Sequence, residues 1–247
     1  MTAILTTNPQ SQPFYPSADG EPVAETYAHL YALLTTLSVL KQYLEGRQAT
    51  VLANQLLYYA QGFPRLRIAP DVMVIFDVAP GGRDNYKIWE EGRVPVVIFE
   101  MTSSATQEHD QSFKKTLYEQ LGVQEYWLFD PKGEWIEEKL RGYRLRADTY
   151  ESVSENRSEA LQLRLAVEGQ LIGFYREDTG EKLLIPEEQA LALRQETLAR
   201  QQAQELADQE RQRADRERQQ RELAQQRVEE IESMLARYRE RFGELPE

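Results

Sequence analysis

At 247 residues and 28.7 kDa the chain has room for one packed domain of about 150–200 residues plus an appendage. It has no cysteine and two histidines, His29 and His109, which excludes disulfide scaffolds, thiolate nucleophiles, thiolate zinc sites, iron–sulfur clusters and histidine-rich metal centres. A hydrophobic share of 41% supports a real core, and a net charge of −12 argues against a bulk electrostatic grip on nucleic acid while leaving room for a local basic groove.

Residues 1–20 are rich in Ser, Thr and Pro and read as a loose arm. They lack a basic segment followed by an apolar run, and nowhere does the chain hold about 18 consecutive apolar residues, so a soluble, cytoplasmic protein with no membrane partner is expected. The segment 25–46 carries Leu30, Leu33, Leu34, Leu37, Leu40 and Leu44 at helical spacing and stops at Gly46, predicting an amphipathic helix. Three apolar runs follow, at 51–60, 72–78 and 95–102. Each is short, bounded by turn residues and rich in β-branched or aromatic side chains, which predicts strands. Residues 107–122 have polar entry residues, Phe113, Leu117 and Leu121 at helical spacing, and a closing Gly122, so a second helix is expected there. The run 125–131 predicts a strand ended by an Asp-Pro turn. From Gly133 to Ile185, alternating patches separated by Gly, Asn and Asp predict a few short antiparallel strands.

From Pro186 onward the composition changes to 11 Arg, no Lys, 15 Asp or Glu and 11 Gln, predicting one long helix. Val228, Ile231, Leu235, Tyr238 and Phe242 alternate spacings of three and four, as an a/d seam does. The same frame puts Glu210, Glu217 and Arg221 at seam positions upstream, so coiled-coil pairing fits only the last turns. A solvated helix laced with Arg/Glu pairs fits equally well. The organisation expected is therefore an arm at 1–20, a domain at 21–185 and a long helix at 186–247.

The chemistry lies in two of the strands and the helix that follows. Strand side chains alternate, so Asp71, Met73, Ile75 and Asp77 share one face, as do Ile98, Glu100 and Thr102. Asp71 opens one strand and Glu100 ends another. An acid at the end of a buried apolar strand is costly unless paired or holding a metal, and two on adjacent strands form an oxygen-ligand site suited to Mg²⁺. Asp110, Lys114 and Tyr118 lie at i, i+4 and i+8 on one helical face, from which Lys114 could reach the carboxylates.

An Asp opening a strand after Pro70, then a strand ending in Glu100, within the order helix, three strands, helix, strand, resembles the PD-(D/E)XK nuclease superfamily. The runs APDVMVIFDV, NYKIWEEGRVPVVIFEMTSSAT and KKTLYEQLGVQEYWLFDP more specifically resemble the Uma-type restriction endonuclease family over roughly residues 20–180. That family lacks the superfamily lysine two residues after the Glu and places one on the helix instead. Here position 102 is Thr, and Lys114 falls at the helix position, with Lys115 as the competing choice. The resemblance implies an α/β, restriction-endonuclease-like core, a mixed central sheet flanked by helices, with a small β extension and the long C-terminal helix or coiled coil. It implies hydrolysis of phosphodiester bonds in DNA, and with the C-terminal helix a homodimer is expected. Asp71 and Glu100, with Glu25 as a further candidate, would hold Mg²⁺ or Mn²⁺, and Lys114 would position or activate the attacking water. Ser103, Thr106, Asp110 and Tyr118 match supporting positions. The rival reading is a non-catalytic nuclease-fold scaffold that oligomerises through its C-terminal helix.

Overall fold

The computed structural model describes residues 13–18, 20, 26–103 and 110–243. Glu25, Thr106 and most of the expected N-terminal arm lie outside them. Helix α1 (Tyr27–Tyr43) starts where Thr26 Oγ1 accepts the His29 backbone N–H at 3.3 Å. Its buried face carries Ala28, Ala32, Leu33, Val39 and Leu40, whereas Leu30 and Leu34 are 46% and 48% exposed. The helix thus turns its small alanines inward, and the expected leucine face is only half used.

The apolar run at 51–60 is two strands rather than one. Strand β1 (Ala49–Ala53) ends at Asn54, whose φ of 49° lies in the left-handed region, and β2 (Leu57–Tyr58) departs into another sheet. There β2 pairs antiparallel with β3 (Arg67–Ile68) and parallel with β5 (Tyr86–Lys87). The main sheet is built from β1, β4 (Val72–Phe76), β6 (Val97–Met101), β7 (Glu125–Phe129), β8 (Leu140–Arg146) and β9 (Thr149–Val153), hydrogen-bonded in the order β1-β4-β6-β7-β8-β9. Every pair is antiparallel except β6–β7. A one-turn helix, α2 (Ile88–Glu91), precedes β6, and a π-helical turn (Asp110–Lys114) continued by α3 (Lys115–Leu121) lies on the crossover from β6 to β7. A four-stranded antiparallel extension follows: β10 (Arg157–Ser158), β11 (Leu163–Glu168), β12 (Leu171–Arg176) and β13 (Lys182–Leu183).

Strand alternation gives the main sheet two apolar faces. On one, Val72, Val74, Val97, Phe99, Trp127 and Phe129 pack with α1 and with Leu165, Ile172 and Phe174 of the extension. On the other, Met73, Ile75, Ile98, Tyr126 and Leu128 pack with Tyr118 of α3 and with Leu57, Ile68 and Tyr86. Covered on both sides, all five residues of β6 are buried. Asp77 does not join the Asp71 face as expected: β4 stops at Phe76, and Asp77, at φ 59°, turns out to meet Arg93 at 3.4 Å.

The fold is mixed α/β, with helices on both sides of a mixed sheet. Residues Met1–Glu187 and Glu188–Glu247 form two compact units. The second is made by α4 (Pro186–Phe242), which at 57 residues and 1.5 Å per residue runs about 85 Å. Pairs such as Arg213–Glu217 and Arg218–Glu222 support it, and its seam residues Val228, Ile231, Leu235 and Tyr238 are open to solvent. Among the described residues no helix is long and apolar enough to cross a membrane.

Candidate active site

Asp71 comes one residue before β4, and Glu100 is the penultimate residue of β6. The register pairs Val72 with Phe99, so the two acids are the next neighbours at one end of the sheet. The Asp71 backbone N–H donates to Glu100 Oε2 at 3.3 Å, and the Met101 N–H donates to Asp71 Oδ2 at 2.6 Å. From the other side the Asn54 N–H donates to the Pro70 and Asp71 carbonyls at 3.0 and 3.1 Å. The strand start is thereby anchored by both neighbours, which fixes where the Asp71 carboxylate stands.

Glu100 is fully buried, and both its oxygens are engaged. Lys114 Nζ donates to Oε2 at 2.8 Å, and the Tyr118 hydroxyl donates to Oε1 at 2.8 Å. Lys114 also meets Asp110 Oδ1 at 2.9 Å, so one ammonium bridges two buried carboxylates. The turn that carries Asp110 and Lys114 is π-helical, a geometry found most often as a single turn at functional sites. The Tyr126 hydroxyl of β7 braces it by donating to the Asp110 carbonyl at 3.0 Å. Phe113, expected in the core, is instead 51% exposed, because the face turned to the sheet is that of Asp110, Lys114 and Tyr118. Lys115 places its Nζ 4.0 Å from the centroid of the Tyr143 ring, which leaves Lys114 as the lysine at the carboxylates.

His29, one of the two histidines of the chain, joins this group. It is buried, with Nε2 3.5 Å from Asp71 Oδ2. Its signal in the sequence was Thr26, whose capping fixes the first turn of α1 and so the direction of that side chain. Ser103 lines a cavity of about 40 Å³ with His29, Thr102 and Asp130, and the buried Thr102 Oγ1 there has no hydrogen-bond partner among the described residues.

Burial pushes the Glu100 carboxyl up to about 8; Lys114 opposes the rise, and the charges of Asp71 and Asp110 reinforce it. For Lys114, burial alone would lower the ammonium, but Glu100, Asp110 and Asp71 outweigh it and raise the group above its ordinary value. Burial likewise drives the Tyr118 and Tyr126 hydroxyls well above theirs, so both stay protonated donors. Lys114 thus meets two buried carboxylates, Glu100 and Asp110, and the partly exposed Asp71 carboxylate adds its charge beside them, an excess of acid over base that a divalent cation would offset. Among the described residues no group of three or more His, Asp or Glu side chains is placed to hold a metal ion. Asp71 and Glu100 are the pair that could share a cation, the remaining positions being left to main-chain oxygens, water or substrate.

A family model described as "Uma2: Putative restriction endonuclease" matches residues 6–173. Among solved structures, one described as a "putative nuclease belonging to DUF820 from Anabaena variabilis ATCC 29413" is similar at 16% identity and a TM-score of 0.40, covering 57% of this chain and 77% of that one. No curated protein matches the sequence.

Proposed function

The chain belongs to the Uma2 family of restriction endonuclease-like proteins, and on that premise we propose that it is a metal-dependent endonuclease hydrolysing phosphodiester bonds in DNA. The observation that carries this reading is Lys114 bridging the buried Glu100 and Asp110 beside Asp71. Such a cluster is expensive to build, and its surplus negative charge suits a Mg²⁺ or Mn²⁺ ion held by Asp71 and Glu100. When bound, the ion would lower the pKa of the attacking water and offset charge on the phosphate.

The chain's own groups set the rest. The neighbouring acids keep Lys114 protonated, so it serves as a fixed cation that orients water or the phosphate and stabilises developing charge, rather than as a base. Tyr118 and Lys114 lock the two Glu100 oxygens in place, and the Met101 N–H holds Asp71 Oδ2, with His29 Nε2 3.5 Å from that same oxygen. Asp110 positions Lys114. Cytoplasmic DNA is the substrate of this reading, and the exposed seam of α4 supports a homodimer. That seam also favours the second reading, a non-catalytic scaffold that assembles through α4.

Supercoiled plasmid incubated with Mg²⁺ or Mn²⁺ separates the two. Wild type should nick or linearise it, and Asp71→Ala, Glu100→Ala and Lys114→Ala should each lose about 10²-fold or more of the rate. A folded wild type that cuts neither DNA nor RNA with either ion rejects the nuclease and leaves the scaffold.

A further inference from the structure

We propose that the β2–β3 hairpin is a DNA-contacting element, with Phe63 and Leu66 packing against bases or sugars and Arg65 and Arg67 meeting phosphates. The proposal rests on the nuclease reading and adds to it a surface that grips the strand beside the cleaved bond.

The loop between β2 and β3 carries two large apolar side chains turned out to water, Phe63 at 62% and Leu66 at 42% exposure. It is an ordered loop. The Phe63 N–H donates to the Ala60 carbonyl at 3.3 Å, the Leu66 N–H to the Phe63 carbonyl at 2.9 Å, and the Gly62 N–H to the Tyr15 hydroxyl at 2.6 Å. Pro64 stiffens it further. Apolar side chains held rigidly in water are set up for a contact made elsewhere.

Its charge points to the same occupant. Arginines elsewhere in the domain are engaged: Arg83 pairs with Glu91, Arg93 with Asp77, Arg144 with Glu125 and Arg176 with Asp178, while Arg47 and Arg164 lie over the rings of Phe76 and Tyr175. The Arg65 guanidinium has no ion pair or hydrogen bond among the described residues, and Arg67 has only the Tyr58 hydroxyl, at 3.4 Å. In a chain of net charge −12, two uncompensated arginines flanking exposed apolar groups complement a polyanion that also offers π-faces.

Position ties the loop to the chemistry. β3 leads through Ala69 and Pro70 into Asp71, five residues after Leu66, so Leu66 lies within about 18 Å of Asp71 even if the chain between them is fully extended. Along one strand of a duplex that span is about five nucleotides. A strand with its phosphate at Asp71 and Glu100 that runs toward β3 comes within reach of the loop.

The test is binding of a fluorescein-labelled 30-bp duplex to the full chain in EDTA, read by anisotropy over a range of salt. Arg65→Ala should weaken binding and reduce the slope of log K against log salt by about one. Phe63→Ala should weaken it about 5–100-fold with the slope unchanged. Arg176→Ala, which removes a paired arginine on the β extension, should bind like wild type. Wild-type binding that neither loop variant changes, when both melt like wild type, overturns the proposal and leaves the nuclease reading intact. Loss of binding to phosphatidylserine vesicles, or a fall in particle mass, with DNA binding unaltered, also overturns it, by assigning the loop to a lipid surface or a second copy. A wild type that neither binds DNA nor cuts plasmid rejects the nuclease reading and this proposal with it.

Discussion

Glu100 is the residue on which the site's energetics turn. Its carboxyl is raised in the folded chain to about 8 against an ordinary value of 4.5, chiefly by burial. A group shifted upward contributes stability that is complete below the unfolded value and is lost as pH rises through the folded one. The metal-free protein should therefore lose stability between about pH 4.5 and 8, and Glu100→Gln should flatten that slope; urea unfolding at pH 5, 6.5 and 8 reads it, and parallel slopes would refute the assignment. Lys114→Met leaves two buried acids without their cation and should cost about 3–5 kcal/mol at pH 8. The same unfolding experiment should show less of that loss at pH 5, where Glu100 can protonate. At this scale the sequence told a good deal: alternation groups Asp71 with Met73 and Ile75 and Glu100 with Ile98, and the β4–β6 register, which no single strand encodes, brings the two acids side by side. The sequence preferred Lys114, on the face of Asp110 and Tyr118, to the competing Lys115, which lies about 100° away around the helix and whose ammonium sits against the Tyr143 ring of a distant strand. It could not pair His29 with Asp71, a contact across 42 positions of chain.

Among the elements, the π turn and the β7–β8 pair are where single changes should tell most. Tyr126→Phe removes the hydroxyl that braces the Asp110 carbonyl and should cost about 1 kcal/mol, with a larger relative loss of plasmid cleavage, because Asp110 holds Lys114. An equal or smaller loss of cleavage would make the tyrosine merely structural. Gly142 faces Trp127 across the β7–β8 ladder, and a Cβ there would run into the indole ring. Gly142→Ala should destabilise by about 1–3 kcal/mol, read as a lower urea midpoint. Element types were legible in the periodicities, and their details were not. The leucines of α1 outnumber the places the sheet can cover, so Leu30 and Leu34 stay in water while Ala28 and Ala32 go inward. The apolar run at 51–60 hides a left-handed Asn54 that splits it between two sheets, and no periodicity signals a π turn.

For the whole molecule, the composition changes at Pro186 to a stretch so rich in Arg, Asp, Glu and Gln that few side chains are left to build a core. Among the described residues, both apolar clusters are built within 28–185. A chain ending at Glu187 should therefore unfold cooperatively with a midpoint close to that of the full chain. If α4 assembles the protein, the shortened chain should fall to monomer mass by light scattering, and an unchanged oligomer would place the interface on the core.

The crossover from β6 to β7 also sets an order of events during synthesis. β4 pairs with one edge of β6 and brings Asp71 beside Glu100, but the other edge of β6 is filled by β7, which is made later. Until β7 is made, that edge should stay open to water and to other strands. A chain that stops short of Glu125 holds Asp71, Glu100 and Lys114 yet lacks the strand that closes β6, so its hazard is pairing with another copy of itself, read as aggregation.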